Sequence, residues 1–163
     1  MLTQRQRSLL VLNGAGLWLT GILIGWAYFI MLLEGVRLFP FIEFVPLDVP
    51  GDRRAWNMAH MEAFTNGTML MATAAVAPYI KLSPRSCSVL FWCSLTYAWL
   101  FTLPAAANAI FETRGLAFGG GPFEGSLANN IIFLFGWPSF ATVHIALPLL
   151  VYGGWRHFRS IKE

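Results

Sequence analysis

Apolar residues gather into four long blocks along the chain, and the segments between the blocks hold nearly all of the charges. The blocks run roughly over residues 9–33, 58–80, 87–111 and 130–152. Each is near the ~20 residues that a helix needs to cross the hydrocarbon core of a membrane. The blocks are apolar on nearly every side, whereas a membrane β-barrel has shorter segments that alternate apolar and polar positions. The pattern predicts an all-α fold, an integral membrane bundle of four transmembrane helices, in a single domain over residues 1–163.

Composition and charge agree with a lipid environment. Hydrophobic residues make up 56% of the 163 residues and charged residues only 12%, which is unusual for a small water-soluble domain. No basic run is long enough for a nucleic-acid patch, so we expect no nucleic-acid partner. The two terminal segments and the loop after the second block carry seven of the Lys and Arg residues: Arg5, Arg7, Lys81, Arg85, Arg156, Arg159 and Lys162. The positive-inside rule then predicts that both termini lie in the cytoplasm. We expect the membrane to be the inner membrane of a bacterium.

Most motifs of soluble enzymes are absent from the sequence. It has no phosphate-binding glycine loop between a strand and a helix, no cysteine cluster for zinc or iron–sulfur, and no serine elbow. Cys87 and Cys93 stand on one predicted helix at a spacing that suits neither a disulfide nor a metal clamp, so we expect them to be packing residues. Ionisable and strongly polar groups at membrane depth are costly unless paired or ligated, so they are the functional candidates. They are His60, Glu62, Asn66, Tyr97, Asn108, Asn129, Asn130 and His144.

His60 is the first candidate for a metal ligand. A neutral imidazole commonly binds haem iron, and a single histidine leaves the opposite face of the iron open for a substrate. The alternative is a histidine whose ring is satisfied by a backbone carbonyl or by water. His144 is predicted to lie roughly 15 Å deeper than His60, which argues against one haem bound by both. We expect His144 to make a packing hydrogen bond, with a carbonyl freed by Pro138 or Pro148 as its partner.

Helical phase separates the candidates of the second block. At about 100° per residue, Gly67 and Met71 share the face of His60, so a flat cofactor could lie against them. Asn66 lies about 120° from that face and would face a different pocket, as a subunit-interface site in a homo-oligomer requires. Glu62 lies about 200° away, and we expect it to pair with an arginine near the outer surface. The arginines within reach are Arg53, Arg54 and Arg114.

Short motifs before and within the second block, and after the third, resemble the styrene oxide isomerase family. "VPG" from Val49 is followed by Trp56, by His60 and, six residues later, by Asn66 with Gly67, and "RGLAFGGGPFEG" begins further along. The resemblance covers roughly residues 49–125. It implies a homotrimer of small four-helix membrane proteins with haem b bound between protomers. It further implies that ferric iron acts as a Lewis acid to isomerise a small apolar aryl epoxide to an aldehyde.

The resemblance also assigns individual residues. His60 matches the axial ligand of the haem iron, and Asn66 matches the asparagine that helps to hold the epoxide. Asn108, one residue out of register with a family asparagine, is a second catalytic candidate. Arg114, in the "RG" motif, joins Gly67 and Met71 as an expected cofactor contact.

Two positions depart from the family pattern. Ala105 stands where the family has its pocket tyrosine, nine residues before the Arg114–Gly115 pair, and Glu62 replaces a small residue. We therefore expect the same reaction class with a differently shaped pocket. Two alternatives remain at this point: a membrane b-type haem protein for electron transfer or haem sensing without isomerase activity, and a membrane scaffold without a cofactor.

Overall fold

Four long helices form most of the chain in the computed structural model, which describes residues 1–161. Lys162, one of the basic residues counted for the topology, and Glu163 lie outside the described residues. The helices are α1 (Gln4–Leu33), α2 (Arg53–Val76), α3 (Pro84–Ile110) and α4 (Leu127–Phe158). A short 3₁₀ turn, Ala77–Tyr79, follows α2.

Each helix begins earlier than the apolar blocks indicated, because its first turn and its capping residue are polar. The side chains of the N-cap residues each accept a hydrogen bond from a backbone N–H in the first turn, which satisfies a donor that the helix cannot pair internally. These residues are Thr3, Asp52, Ser83 and Ser126. The predicted start of the second helix at residue 58 is therefore corrected to Arg53, and α4 extends past the predicted residue 152 to Phe158.

The fold is mostly helical, as predicted, but the segment between α1 and α2 contains a β-hairpin that the sequence pattern did not predict. β1 (Gly35–Leu38) pairs antiparallel with β2 (Ile42–Pro46), with Val36 opposite Val45. Phe39 and Phe41 at its tip are 87% and 89% exposed. The hairpin was missed because its short run of alternating residues lies inside a connection between two long apolar blocks, whose period dominates the pattern.

Three of the described helices, α1, α3 and α4, are long and apolar enough to cross a membrane. α2 is not among them, since Asn57, His60, Glu62 and Asn66 interrupt its apolar sequence. The expectation of four membrane-spanning helices is thus supported for three of them and stays a prediction for α2. Only 17% of the spanning window is buried in α1 and in α4, against 44% in α3, which is therefore the most covered of these three helices.

The helices pack in chain order, with α2 between α1 and α3 and with α4 against α3. Small residues bring α1 and α2 close together: a Cβ at Gly14 would lie 2.7 Å from the Gly67 carbonyl oxygen. α2 and α4 form no substantial contact within the described residues, so a groove remains between them over α3. Cys87 and Cys93 are free and buried, as the sequence predicted for packing residues.

Candidate functional site

His60 lies on the side of α2 that packs against α1. Its Nδ1 is 2.9 Å from the backbone carbonyl oxygen of Gly21, and the edge of its ring contacts Phe64. A carbonyl oxygen can only accept a hydrogen bond, so Nδ1 carries the proton and donates it. Nε2 is then the unprotonated nitrogen with a free lone pair. The sequence offered a backbone carbonyl as an alternative partner to a metal. This carbonyl binds one ring nitrogen and leaves the other available for a metal.

Gly25 on α1 makes the space for this imidazole. A Cβ at Gly25 would lie 2.6 Å from Cε1 and 2.7 Å from Nδ1 of His60, so even alanine would press on the ring. Sequence reasoning missed this residue because the contact joins two helices far apart in the chain. A signal was present in "GILIG", where Gly21 and Gly25 are four residues apart and share one face of α1.

Gly67 and Met71 share the face of His60, as helical phase predicted, but that face is covered by α1. A Cβ at Gly67 would lie 2.6 Å from Cδ1 of Trp18, and Met71 packs over Gly14. Trp18 also donates a hydrogen bond from Nε1 to the Phe64 carbonyl at 3.2 Å. Within the protomer these two positions therefore form a helix–helix contact. Their role as cofactor contacts stays a prediction.

Asn66 faces α3 rather than α1, as its helical phase predicted. Its Nδ2 donates a hydrogen bond to Oγ1 of Thr102 at 3.1 Å, and Thr102 donates in turn to the Ala98 carbonyl at 2.8 Å. The amide oxygen of Asn66 has no hydrogen bond within the described residues. α2 thus presents His60 to one neighbouring helix and Asn66 to the other.

A cavity of about 380 Å³ lies in the groove between α2, α3, α4 and the loop after α3. Glu62, which lies one helical turn from Asn66 on the same side of α2, lines the wall of this cavity. Most of the wall is apolar, and Ala105, at the position of the family tyrosine, is part of it. The apolar lining includes Met58, Leu100, Phe101, Pro104, Ala105, Leu116, Phe123, Ile132 and Phe140. The polar lining consists of Arg54, Glu62, Asn108, Thr113, Arg114 and Ser139.

The predicted ion pair of Glu62 with an arginine is wrong. Within the described residues Glu62 forms no salt bridge, and Arg114 instead lies 4.0 Å from Asp52. That pair is partly exposed and contributes little stability. The error has a geometric reason: Glu62 and Asn66 are only about 40° apart around α2, so both turn towards α3. Of the two, Glu62 lines the cavity and Asn66 does not.

Asn108 and Asn129 hold the loop that carries the "RG" motif. Asn108 donates from Nδ2 to the Arg114 carbonyl at 3.1 Å and accepts at Oδ1 from Oγ1 of Thr113 at 2.7 Å. Asn129 accepts at Oδ1 from the Gly115 N–H at 2.9 Å and donates to the Ala117 carbonyl at 2.9 Å. Both groups of the Asn108 amide are therefore occupied by the loop, although the side chain also lines the cavity. Its catalytic role stays a prediction.

The "VPG" motif and Trp56 join the start of α2 to the end of α3. Gly51 has a φ of +114°, and a Cβ there would collide with the carbonyl of Ala109. The Asp52 N–H donates to that same carbonyl at 3.2 Å, and Nε1 of Trp56 donates to the Pro50 carbonyl at 3.0 Å. These contacts fix the axial position of α2 relative to α3, and therefore the position of Glu62 along the cavity.

His144 and Tyr97 lie outside this site. Nδ1 of His144 is 2.6 Å from the Phe140 carbonyl in its own helix, and its side chain is exposed on α4, which packs on α3 and not on α1. The predicted helix-packing hydrogen bond is therefore wrong: the bond of His144 stays within α4 and does not use a carbonyl freed by Pro138 or Pro148. Tyr97 is buried and does not line the cavity, so it does not replace the missing phenol at Ala105.

Comparison with known proteins identifies the relatives of the chain. A comparison with curated proteins gave no match. A model of the styrene oxide isomerase family matches residues 6–155. The match includes α2, α3, the loop with Arg114 and most of α1 and α4, and thus every element that forms the cavity or holds His60. The chain belongs to the styrene oxide isomerase family.

Proposed function

We propose that the protein is a membrane epoxide isomerase that binds haem b through His60 and converts an aryl epoxide to an aldehyde. Membership of the family supports an isomerase. One observation carries the haem assignment: Nδ1–H of His60 donates to the Gly21 carbonyl, so Nε2 is left with its lone pair free. Histidines that ligate metals nearly always donate their second N–H in this way, because the bond fixes the tautomer and orients the ring.

The residues present fit a haem with one histidine ligand. Nε2 of His60 would bind the iron, and Gly25 leaves the imidazole the space that it needs. Arg114 is the proposed cation for the acidic groups of the cofactor. When bound, ferric haem supplies a Lewis acid that weakens a C–O bond of the epoxide.

The chain itself would orient the substrate and exclude water. Asn66 has two amide hydrogens, of which one is given to Thr102, so the second can donate to an epoxide oxygen. Phe101 and Phe140, whose ring centroids are 5.4 Å apart, offer an aromatic wall for the arene. The benzylic C–O bond breaks, a hydride moves from the terminal to the benzylic carbon, and a carbonyl forms without any redox cosubstrate. A dry wall protects the electron-poor benzylic carbon from water, which would otherwise give a diol.

We further propose a homotrimer of four-helix membrane protomers in the inner membrane, with both termini in the cytoplasm. The arrangement of α2 supports the homotrimer: one face of the helix directs His60 towards α1, and another face directs Asn66 towards α3. A site between protomers could then combine the histidine of one copy with the cavity of the next. Most of the surfaces of α1 and α4 are left uncovered in the protomer, so they are free for lipid or for a second copy.

Substitution of His60 tests the function. His60→Ala should lose the Soret band of the purified protein and the formation of aldehyde from styrene oxide. His144→Ala is the matched control, because that ring is exposed and bonded within its own helix, and both signals should remain. His60→Ala with haem at full stoichiometry would remove the ligand assignment. A six-coordinate low-spin spectrum that does not respond to epoxide analogues would support a haem carrier instead.

A further inference from the structure

Glu62 is the single carboxylate in the described wall of the cavity. α2 and α3 run antiparallel, and the hydrogen bond from Asn66 to Thr102 sets their register. One turn along each helix from that contact, Glu62 stands level with Ala105 and Ala106. Glu62 and the small Ala105 both line the cavity, so the space beside the carboxyl group is open.

The neutral polar side chains of the wall already have hydrogen-bond partners. Both groups of the Asn108 amide and the hydroxyl of Thr113 bond within the loop, and Ser139 donates to the Gly136 carbonyl at 2.5 Å. Glu62 is different, because it makes no hydrogen bond and no ion pair in the part of the chain that the structure describes. The two cations of the wall, Arg54 and Arg114, form no salt bridge with it there.

A carboxyl group in a mostly apolar cavity loses hydrogen bonds to water, and without a partner no protein group replaces them. A ligand that offers a hydrogen-bond donor at this point would supply the missing partner, because a carboxyl oxygen accepts hydrogen bonds. The cavity also falls within the size range of small-molecule sites, which are mostly apolar with a few polar groups that fix orientation.

We infer that Glu62 is a specificity-determining residue that accepts a hydrogen bond from the substrate. The cavity then favours an aromatic ligand with a hydroxyl or a similar donor, on the ring or on its side chain, over a similar ligand without one. This inference rests on the proposed function in so far as the cavity is taken as the substrate site. It concerns binding by Glu62 and is independent of the chemistry at the iron.

A matched pair of probes tests it: 2-phenylethanol, which has a donor, and ethylbenzene, which does not. Dissociation constants are measured by tryptophan fluorescence on the purified full-length protein with its native cofactor content. Glu62→Ala should weaken 2-phenylethanol about tenfold and leave ethylbenzene unchanged. Glu62→Gln should keep most of the preference for the alcohol, because the amide oxygen still accepts. Partition into detergent cancels, since each ligand is compared with itself across variants.

Glu62→Leu repeats the test with a side chain of similar length that fills the same space. Glu43→Ala is the control, since Glu43 is an exposed carboxylate on the hairpin, and it should change neither constant. An unchanged ratio of the two constants in Glu62→Ala and Glu62→Leu would overturn the inference. A protein that shows the expected ratios but forms no aldehyde from styrene oxide would refute the isomerase and leave the role of Glu62 intact.

Discussion

The position of one imidazole depends on a glycine in another helix. Gly25 lies against the ring of His60, and the Gly21 carbonyl one turn earlier holds Nδ1. Partners of this kind orient a metal ligand, and their loss commonly costs 10–100-fold in metal affinity. His60 and its surroundings on α1 should therefore be treated as one unit.

Gly25→Ala should lower haem binding about tenfold, because the added Cβ displaces the imidazole from its bond to the Gly21 carbonyl. The measurement is titration of the purified protein with haem, followed by Soret absorbance. Gly154→Ala is the control, since nothing lies within 4 Å of a Cβ at that position. Wild-type affinity in Gly25→Ala would mean that the contact with α1 does not orient the ligand.

Gly51→Ala should destabilise the protein, because it adds both strain at a positive φ, about 1–3 kcal/mol, and a collision with the Ala109 carbonyl. Gly119→Ala separates these effects: its φ is also positive, at +75°, but a Cβ there meets nothing within 4 Å. Thermal unfolding in detergent should show a larger fall for Gly51→Ala. Equal falls in the two variants would show that the contact with α3 contributes nothing.

For single residues, the sequence predicts the angular position of a side chain around its own helix, but it does not predict which residues of other helices contact it. Helical phase correctly separated Asn66 from His60, since that angle depends only on local geometry. The same reasoning gave Glu62 the wrong partner, because phase does not say which helix or cavity lies opposite. The contact of Gly25 with His60 could not be found from α2 alone.

Among the elements, the loop after α3 depends on α4. Asn129 is 1% exposed, and its amide bonds two backbone groups of this loop. The loop carries Arg114 and part of the cavity wall, so its order decides whether the cavity is closed on that side.

Asn129→Ala should lower stability, because each buried backbone group left without a partner costs about 1–3 kcal/mol. It should also speed proteolysis within residues 113–126, measured by mass spectrometry of the first cleavage products. Asn57→Ala, at an exposed position of α2, should change neither quantity. If cleavage of the loop were as slow in Asn129→Ala as in the wild type, the amide would not be what holds it.

The long elements were foreseen and the short ones were not. Hydrophobic blocks predict helices well, because a membrane leaves the backbone few other ways to pair its polar groups. The ends were misplaced by several residues where polar caps such as Asp52 and Ser126 extend a helix beyond its apolar part. The hairpin with Phe39 and Phe41 was missed because it does not lie in an apolar block.

For the whole molecule, the path of α2 determines on which sides of the membrane the loops lie. Its polar residues keep it out of the apolar spans, yet α1 and α3 lie on either side of it. If α2, α3 and α4 all cross, the hairpin and the end of α4 lie on opposite sides of the membrane.

Single cysteines at these two places decide the matter. Glu43→Cys should react with a membrane-impermeant thiol reagent in intact cells, and Ser160→Cys only after the membrane is opened. The wild-type chain is the control, because both native cysteines are buried and should give a low background. Reaction of both positions from the same side would mean that α2 does not cross.

The hydrogen-bond partner of His60 is a main-chain atom, and this limits how the protein can be redesigned. Where a carboxylate side chain takes that place, a single substitution alters how strongly the imidazole donates electrons to its metal. No side-chain replacement deletes the Gly21 carbonyl, so the only adjustable quantity is the distance between two helices. A change in the bulk between α1 and α2, for example at Ala63 against Gly21, would therefore be the way to alter how strongly the His60 ring donates electrons.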